Sequence, residues 1–237
     1  MTKEIAKKQS TEVSTEISMD AFGTGAVSAS DIIIPKILTM QGLSKLVTDG
    51  EAKFGDFIDS MTNTVLGSIN SPIEFIPFHM EKIWIIVKLE GKKEVFDRVE
   101  AVTAANEGRR YEEVIDGVAY KNSKVMNFYV MLPSDMSMPY VLPFKGTSIK
   151  AGKALATQMY MKNRASGKVP PAYIMELFGE KKSNDKGTFA VTSVRTKKES
   201  TMEQIQECLK WYKGVAAGEV KAHEEEAAPA PQNTPDF

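Results

Sequence analysis

The chain has 237 residues, with 30 basic and 31 acidic side chains, a formal net charge of −1 and 42% hydrophobic residues. This length and apolar content suffice for one large domain or two small ones with a real core. The single cysteine, Cys208, excludes an intramolecular disulfide, and His79 and His223 are too few for a Cys/His metal cluster. No apolar run could span a bilayer and no signal peptide is evident, so we expect a cytoplasmic protein with neither membrane partner nor cofactor.

The N-terminal third predicts an arm followed by β-structure. Residues 1–30 are rich in Ser, Thr, Glu, Lys, Ala and Gly, which is typical of a disordered arm. Order should begin at residue 31 with an Ile-rich run. Pro35 interrupts this run and favours an extended edge segment. Strand-like runs then follow at residues 57–61, 65–66, 73–78 and 83–89. The first two of these flank a predicted hairpin tip at residues 62–64.

The middle of the chain alternates between charged connections and hairpins. Residues 90–122 are charged and predict a loose connection. This connection contains one small predicted hairpin with its turn at residues 116–117, where Asp-Gly favours a type I′ turn. Residues 125–132 and 140–144 predict a further hairpin around residues 133–139.

Residues 144–198 form a basic block, with twelve Lys or Arg and only three acids in a chain that is nearly neutral overall. The block begins with a helical run at residues 145–164, capped by Thr147 or Ser148, and continues with strand-like runs at 171–178 and 187–195. A long charged loop at residues 179–187 should join these two strands. Such charge asymmetry favours an anionic partner.

The helical run of the basic block has two distinct faces. Ile149, Ala151, Gly152, Leu155, Ala156 and Met159 share the apolar face. Lys150, Lys153, Thr157, Tyr160 and Arg164 share the other face, and no acid occurs between Lys145 and Lys168. An ordinary amphipathic helix with a solvated face remains an alternative, but such a helix usually mixes charges because opposite charges four residues apart stabilise it. A helix face that carries only positive charge is suited to binding a phosphate backbone.

The C-terminal part predicts one more helix and a tail. Residues 202–212 carry the stripe Met202, Ile205, Leu209 and Tyr212, with Ser200 or Thr201 as the cap and Trp211 as an anchor. Residues 215–237 are acidic and poor in hydrophobic residues, and predict a disordered tail that ends in Asp236-Phe237. A flexible acidic tail can occupy a basic site of its own chain until nucleic acid displaces it, although a purely solubilising tail has the same composition.

We therefore predict a mainly β fold with a few helices (α+β). The element order fits an OB-like Greek-key barrel with one helix between strands and a C-terminal helix, although another α+β sheet domain would fit as well. The predicted organisation is a disordered arm at 1–30, an OB-like nucleic-acid-binding domain at 31–214 and a disordered acidic tail at 215–237.

The sequence favours binding over catalysis. Nucleotide-binding, hydrolase, metalloprotease and redox motifs are absent, so we expect no catalytic residues and no metal site. The acids Asp97, Glu100, Glu112, Glu113 and Asp116 leave a carboxylate-dependent nuclease as an alternative, but they fit a solvated surface better.

Single-stranded DNA is held by basic grooves with aromatic platforms, and the basic block supplies both. The residues that we expect to contact phosphates and bases are Lys145, Lys150, Lys153, Tyr160, Arg164, Lys168, Lys181 and Lys182. Roughly half of the nearby aromatic residues should be core, and Trp84 is interpreted as core as well.

A basic OB-like body with an acidic tail ending in Pro-Asp-Phe resembles the single-stranded DNA-binding proteins of bacterial replication, especially those of tailed bacteriophages. Residues 143–153 and 187–191 are also similar to phage proteins described as DNA binders. The resemblance implies coating and protection of single-stranded DNA in the host cytoplasm. It also implies recruitment of replication or recombination proteins through Asp236 and Phe237. In this tail the glutamates stand well upstream of the tip.

Three alternatives remain open from the sequence. A strand-annealing mediator would share the groove and form homo-oligomeric rings. A virion or assembly protein would use the basic block as an oligomer interface. The carboxylate-dependent nuclease would degrade the strand in the presence of Mg²⁺.

Overall fold

The computed structural model describes residues 32–91, 93–167, 169–185, 187–216 and 221–222. The predicted N-terminal arm and most of the predicted tail lie outside these ranges. In the described part of the chain, no helix is long and apolar enough to cross a membrane.

Most of the described chain is β-structure. The strands are β1 (Ile33–Ile34), β2 (Ile37–Thr39), β3 (Asp56–Asp59), β4 (Val65–Ser68), β5 (Ile73–Glu90), β6 (Lys93–Ala101), β7 (Glu112–Ile115), β8 (Val118–Leu132), β9 (Asp135–Lys145), β10 (Tyr173–Asn184), β11 (Gly187–Glu199) and β12 (Lys221–Ala222). The helices are α1 (Lys45–Thr48), α2 (Ile149–Ser166) and α3 (Met202–Ala216). The predicted α+β class is confirmed, with α2 between strands and α3 after the last long strand.

The long strands β5 and β8 form the centre of a curled antiparallel sheet, a half-barrel, with paired residues from Ile76↔Met131 to Lys88↔Tyr120. Each of them has two successive partners on its other edge. β5 pairs first with β10 and then with β6, whereas β8 pairs first with β7 and then with β9. The sheet therefore has a proximal half, β11-β10-β5-β8-β9, and a distal half, β6-β5-β8-β7.

Both faces of the proximal sheet are covered. Its inner face packs against α2 and the small sheet β2-β3-β4, around buried aromatic residues such as Phe57, Phe75 and Phe128. Its outer face packs against α3 and β1, around Phe78, Cys208 and their neighbours. The hydrophobic core is thus divided by the sheet into two layers.

Two predicted hairpins are confirmed by their turn geometry. Asn63 has φ 57° in the connection between β3 and β4. Asp116 and Gly117 have φ 50° and 79°, and two consecutive positive values are what a type I′ turn requires. Asn, Asp and Gly tolerate this backbone region best, so local sequence is sufficient to specify both turns.

Four predicted segments were wrong in extent. The connection predicted at residues 133–139 is short, because β9 already begins at Asp135. Residues 73–78 and 83–89 belong to one strand, β5, which continues through a bulge near Pro77 and His79. The predicted loose connection at 90–122 contains β6, β7 and the start of β8. The predicted loop at 179–187 is the paired end of a hairpin, in which Ser183 lies opposite Thr188. In each case pairing with a neighbouring strand outweighs polar composition.

The predicted apolar stripe of the last helix was also wrong. Met202 of α3 is 68% exposed, and Leu209 and Tyr212 are exposed as well. The face that packs on the sheet contains Cys208 and Val215, with Trp211 partly buried against it. Thr201 caps the helix reciprocally, because Gln204 N–H donates to Thr201 Oγ1 at 3.3 Å and Thr201 N–H donates to Gln204 Oε1 at 2.9 Å.

Candidate nucleic-acid interface

Helix α2 lies between the two edges of the proximal sheet and contacts both. On the β9 side, Gly152 packs so closely on Phe144 that a Cβ at residue 152 would lie 2.8 Å from the Cβ of Phe144. On the β11 side, Thr196 Oγ1 donates to Gln158 Oε1 at 3.3 Å. Leu155 is fully buried in the inner cluster, with Ile149, Ala156 and Met159 packed around it. The predicted apolar face of this helix is confirmed.

The opposite face of α2 is solvent-exposed and positively charged. Lys150 and Lys153 are exposed, and Tyr160 is 60% exposed. Neither lysine has an ion-pair partner among the residues that the structure describes. Arg164 belongs to α2, but its side chain, like all of Lys168, lies outside the described residues.

The position of these lysines is unfavourable for helix stability. Lys150 and Lys153 lie in or next to the first turn of α2, which contains no acidic residue, and Ser148 at the N-cap makes no side-chain capping bond. The N-terminus of a helix carries partial positive charge, so a cation there costs about 0.3–1 kcal/mol. The same charges are favourable for a bound anion such as a phosphate.

The other predicted contact residues do not join one surface. Adjacent strand residues point to opposite faces, and Lys181 and Lys182 are adjacent in β10. Lys181 lies opposite Ala190 of the inner cluster, with its Nζ 5.7 Å from the ring centroid of Phe54. Lys182 is on the outer face, 2.8 Å from a carboxylate oxygen of Glu180. Lys145 follows the inward-facing Phe144 and therefore also belongs to the outer face.

Part of the charge of the basic block is neutralised by residues distant in sequence. Lys197 Nζ lies 2.8 Å from Glu74 of β5, and Arg195 forms an ion pair with Glu176 of β10. The hydrogen bond from Arg195 lowers the pKa of Glu176 below its usual value, so this carboxylate stays charged. The positive charge of β11 is therefore engaged within the fold, whereas Lys150 and Lys153 of α2 have no such partner among the described residues.

Most aromatic residues near the basic block are packing residues. Phe128, Tyr129, Tyr140 and Phe144 are buried, and the interpretation of Trp84 as core is confirmed by its exposure of 5%. Tyr160 is the exposed aromatic residue on the charged face of α2. Phe178 is half-buried on the outer face, where the Arg195 guanidinium lies 4.9 Å from its ring centroid.

The start of the tail has a defined direction. β12 pairs in parallel with β1, where Ile34 lies opposite Ala222, and Lys36 forms a parallel bridge with Val141 of β9. The chain at Ala222 therefore runs the same way as β9, which ends at Lys145 just before α2. Asp236 and Phe237 lie outside the described residues.

Three of the carboxylates considered for a metal site, Asp97, Glu100 and Glu113, form ion pairs with arginine. Arg109 pairs with Glu100 at 2.7 Å and with Glu113 at 3.3 Å, and no cluster of metal-binding side chains occurs within the described ranges. The ring of His79 lies 5.5 Å from that of Tyr129 and 5.7 Å from that of Tyr212. Burial between these rings lowers the pKa of His79.

The model of one protein family, described as Pam3 phage gp34-like protein, matches residues 6–221. The match covers most of the sequence, and the chain belongs to the Pam3 phage gp34-like protein family. No curated protein and no solved structure matches it significantly. The family supports the predicted phage origin.

Proposed function

We propose that this phage protein binds single-stranded DNA through the charged face of α2, coats the strand and protects it during replication or recombination. The observation that carries the proposal is the pair Lys150 and Lys153, unpaired within the described chain at the helix end where cations are least favourable. A bound phosphate turns this local cost into a favourable interaction. Tyr160 on the same helix supplies a surface on which a base can stack.

The fold is compatible with this proposal. A curled sheet with a helix between its edge strands is the arrangement expected of an OB-like barrel, a frequent scaffold for single-strand binding. Backbone phosphates need cations and bases need aromatic surfaces, but neither needs a catalytic group. The protein is accordingly proposed as a binding protein and not as an enzyme.

The tail completes the proposal. Residues 223–237 could extend about 50 Å, and the chain at Ala222 runs towards the end of β9 next to α2. Glu224, Glu225 and Glu226 therefore compete with DNA for the α2 lysines, and Asp236 and Phe237 recruit replication or recombination proteins.

The proposal is tested with a fluorescent oligo-dT across a salt series. The full chain is compared with a version that ends at Ala222, which keeps β12 paired with β1. Sub-micromolar binding that weakens with salt and tightens when the tail is removed is expected. Absence of binding by both versions at low salt would refute the proposal and leave the assembly-protein alternative. Mg²⁺-dependent loss of the oligonucleotide would instead indicate the nuclease.

A further inference from the structure

The inner face of the distal sheet is closed by the connection between β6 and β7. Trp84 and Ile86 of β5 are 5% and 1% exposed there. Arg109 of the connection reaches Glu100 and Glu113, and Asn122 Nδ2 donates to the carbonyl of Arg110 at 2.9 Å. This face has its cover within the described chain.

The outer face of the distal sheet is more exposed than its inner face. Ile83, Ile85, Val87 and Leu89 of β5 are only partly buried, although β6 and β8 flank them on both sides. In β6, Val99 lies opposite Ile85, and Phe96, opposite Val87, is 38% exposed. One ion pair crosses this face above Val87 and Leu89, since Lys121 Nζ of β8 lies 2.6 Å from Glu94 Oε1 of β6. The outer face of the distal sheet is thus a partly exposed apolar surface that is crossed by this ion pair.

One segment of the chain has the complementary pattern. Between residues 11 and 20 polar residues occupy every even position, whereas Val13, Ile17 and Met19 occupy three of the five odd positions, with Thr11 and Thr15 at the other two. The opposite side of this alternation consists of Glu12, Ser14, Glu16, Ser18 and Asp20. A period of two is typical of an extended segment with one side buried and the other in water.

This segment can reach the surface in its own chain. The described structure starts just before β1, where Ile34 packs in the outer cluster with Phe78 of β5. Residues 21–31 could span about 36 Å, whereas Val87 lies about 30 Å beyond Phe78 along the strand. The family match begins at residue 6 and so includes the segment, whereas it ends at residue 221, before Glu224, Glu225 and Glu226 of the acidic tail.

We propose that residues 11–20 bind the outer face of the distal sheet in the same chain. Val13, Ile17 and Met19 lie against Ile85 and Val87, and the acidic side faces water. The N-terminal segment is thereby a cover for the sheet. This proposal is independent of DNA binding.

The first test is cross-linking in the full chain. Ile17→Cys combined with Val87→Cys is treated with a short bifunctional maleimide, and Ile17→Cys with Lys150→Cys on α2 is the matched control. The native Cys208 is fully buried and does not compete. A cross-link within one chain is expected for the first pair and not for the control. Equal cross-linking of both pairs, no cross-linking of either, or a cross-link only between two chains would overturn the proposal.

The second test uses the dye ANS, which fluoresces on apolar surfaces. In the full chain, the double variant Val13→Asp with Ile17→Asp should expose the outer face and raise the fluorescence. The double variant Glu12→Ser with Glu16→Ser changes only the side in water and should leave it unchanged. Equal fluorescence of both variants and the parent would show that another element covers the face.

Discussion

The packing of α2 on β9 makes a sharp prediction for Gly152→Ala. Alanine is favoured over glycine in a helix by about 1 kcal/mol, so helix propensity alone predicts a more stable protein. The added Cβ would lie 2.8 Å from the Cβ and 3.1 Å from the Cγ of Phe144, which is itself buried against Phe128. Overpacking of this kind costs about 1–3 kcal/mol. We expect net destabilisation of up to about 2 kcal/mol.

Urea unfolding followed by circular dichroism measures this difference as a lower transition midpoint with an unchanged slope. Ala154→Gly, on the exposed side of α2, is the control and should cost about 1 kcal/mol through propensity alone. Combining Gly152→Ala with Phe144→Leu should recover part of the loss by making room for the Cβ. An increase in stability for Gly152→Ala would refute the close contact between α2 and β9 and, with it, the position of the charged face.

Two further predictions concern the outer layer. Burial raises the pKa of the Cys208 thiol to about 12, so the thiol should react with a disulfide reagent only when the protein unfolds; rapid labelling in native buffer would contradict the packing of α3. Burial places the pKa of His79 below its unfolded value of 6.5, so the unfolded state takes up the proton first as the pH falls. The free energy of unfolding should therefore decrease as the pH falls through 6.5, and His79→Phe should flatten this dependence. An equal slope in both proteins would contradict the burial of His79.

Local signals predicted the elements that depend on local chemistry. Turns with Asn63, Asp116 and Gly117 need particular backbone angles, and the apolar face of α2 repeats at the helical period. The continuity of β5 could not be predicted in this way, because His79 and Glu81 interrupt its hydrophobic pattern. Glu81 is accommodated by partners distant in sequence, since Asn127 and Tyr129 of β8 both donate to its carboxylate.

In the candidate site, too, the features set by local sequence were predictable and those set by distant partners were not. Lys150, Lys153 and Tyr160 share a helix, so their common face was predictable from spacing. Lys181 and Lys182 were expected in a loop, where both could face one ligand, but strand pairing turns them to opposite sides. A count of charges along the sequence also could not predict that Glu74 of β5 neutralises Lys197 of β11.

The central claim is that Lys150 and Lys153 hold the phosphates of a single strand, and oligo-dT binding by the Lys150→Ala/Lys153→Ala variant tests it most directly. Lys88→Ala/Lys213→Ala, on β5 and α3, removes the same charge elsewhere and serves as the control. Each lost phosphate contact should lower the slope of log affinity against log salt by about 0.7, so the first variant should bind more weakly with a flatter slope. The control should bind like the parent. Equal affinity and slope in both variants would contradict the assignment of α2 as the binding surface.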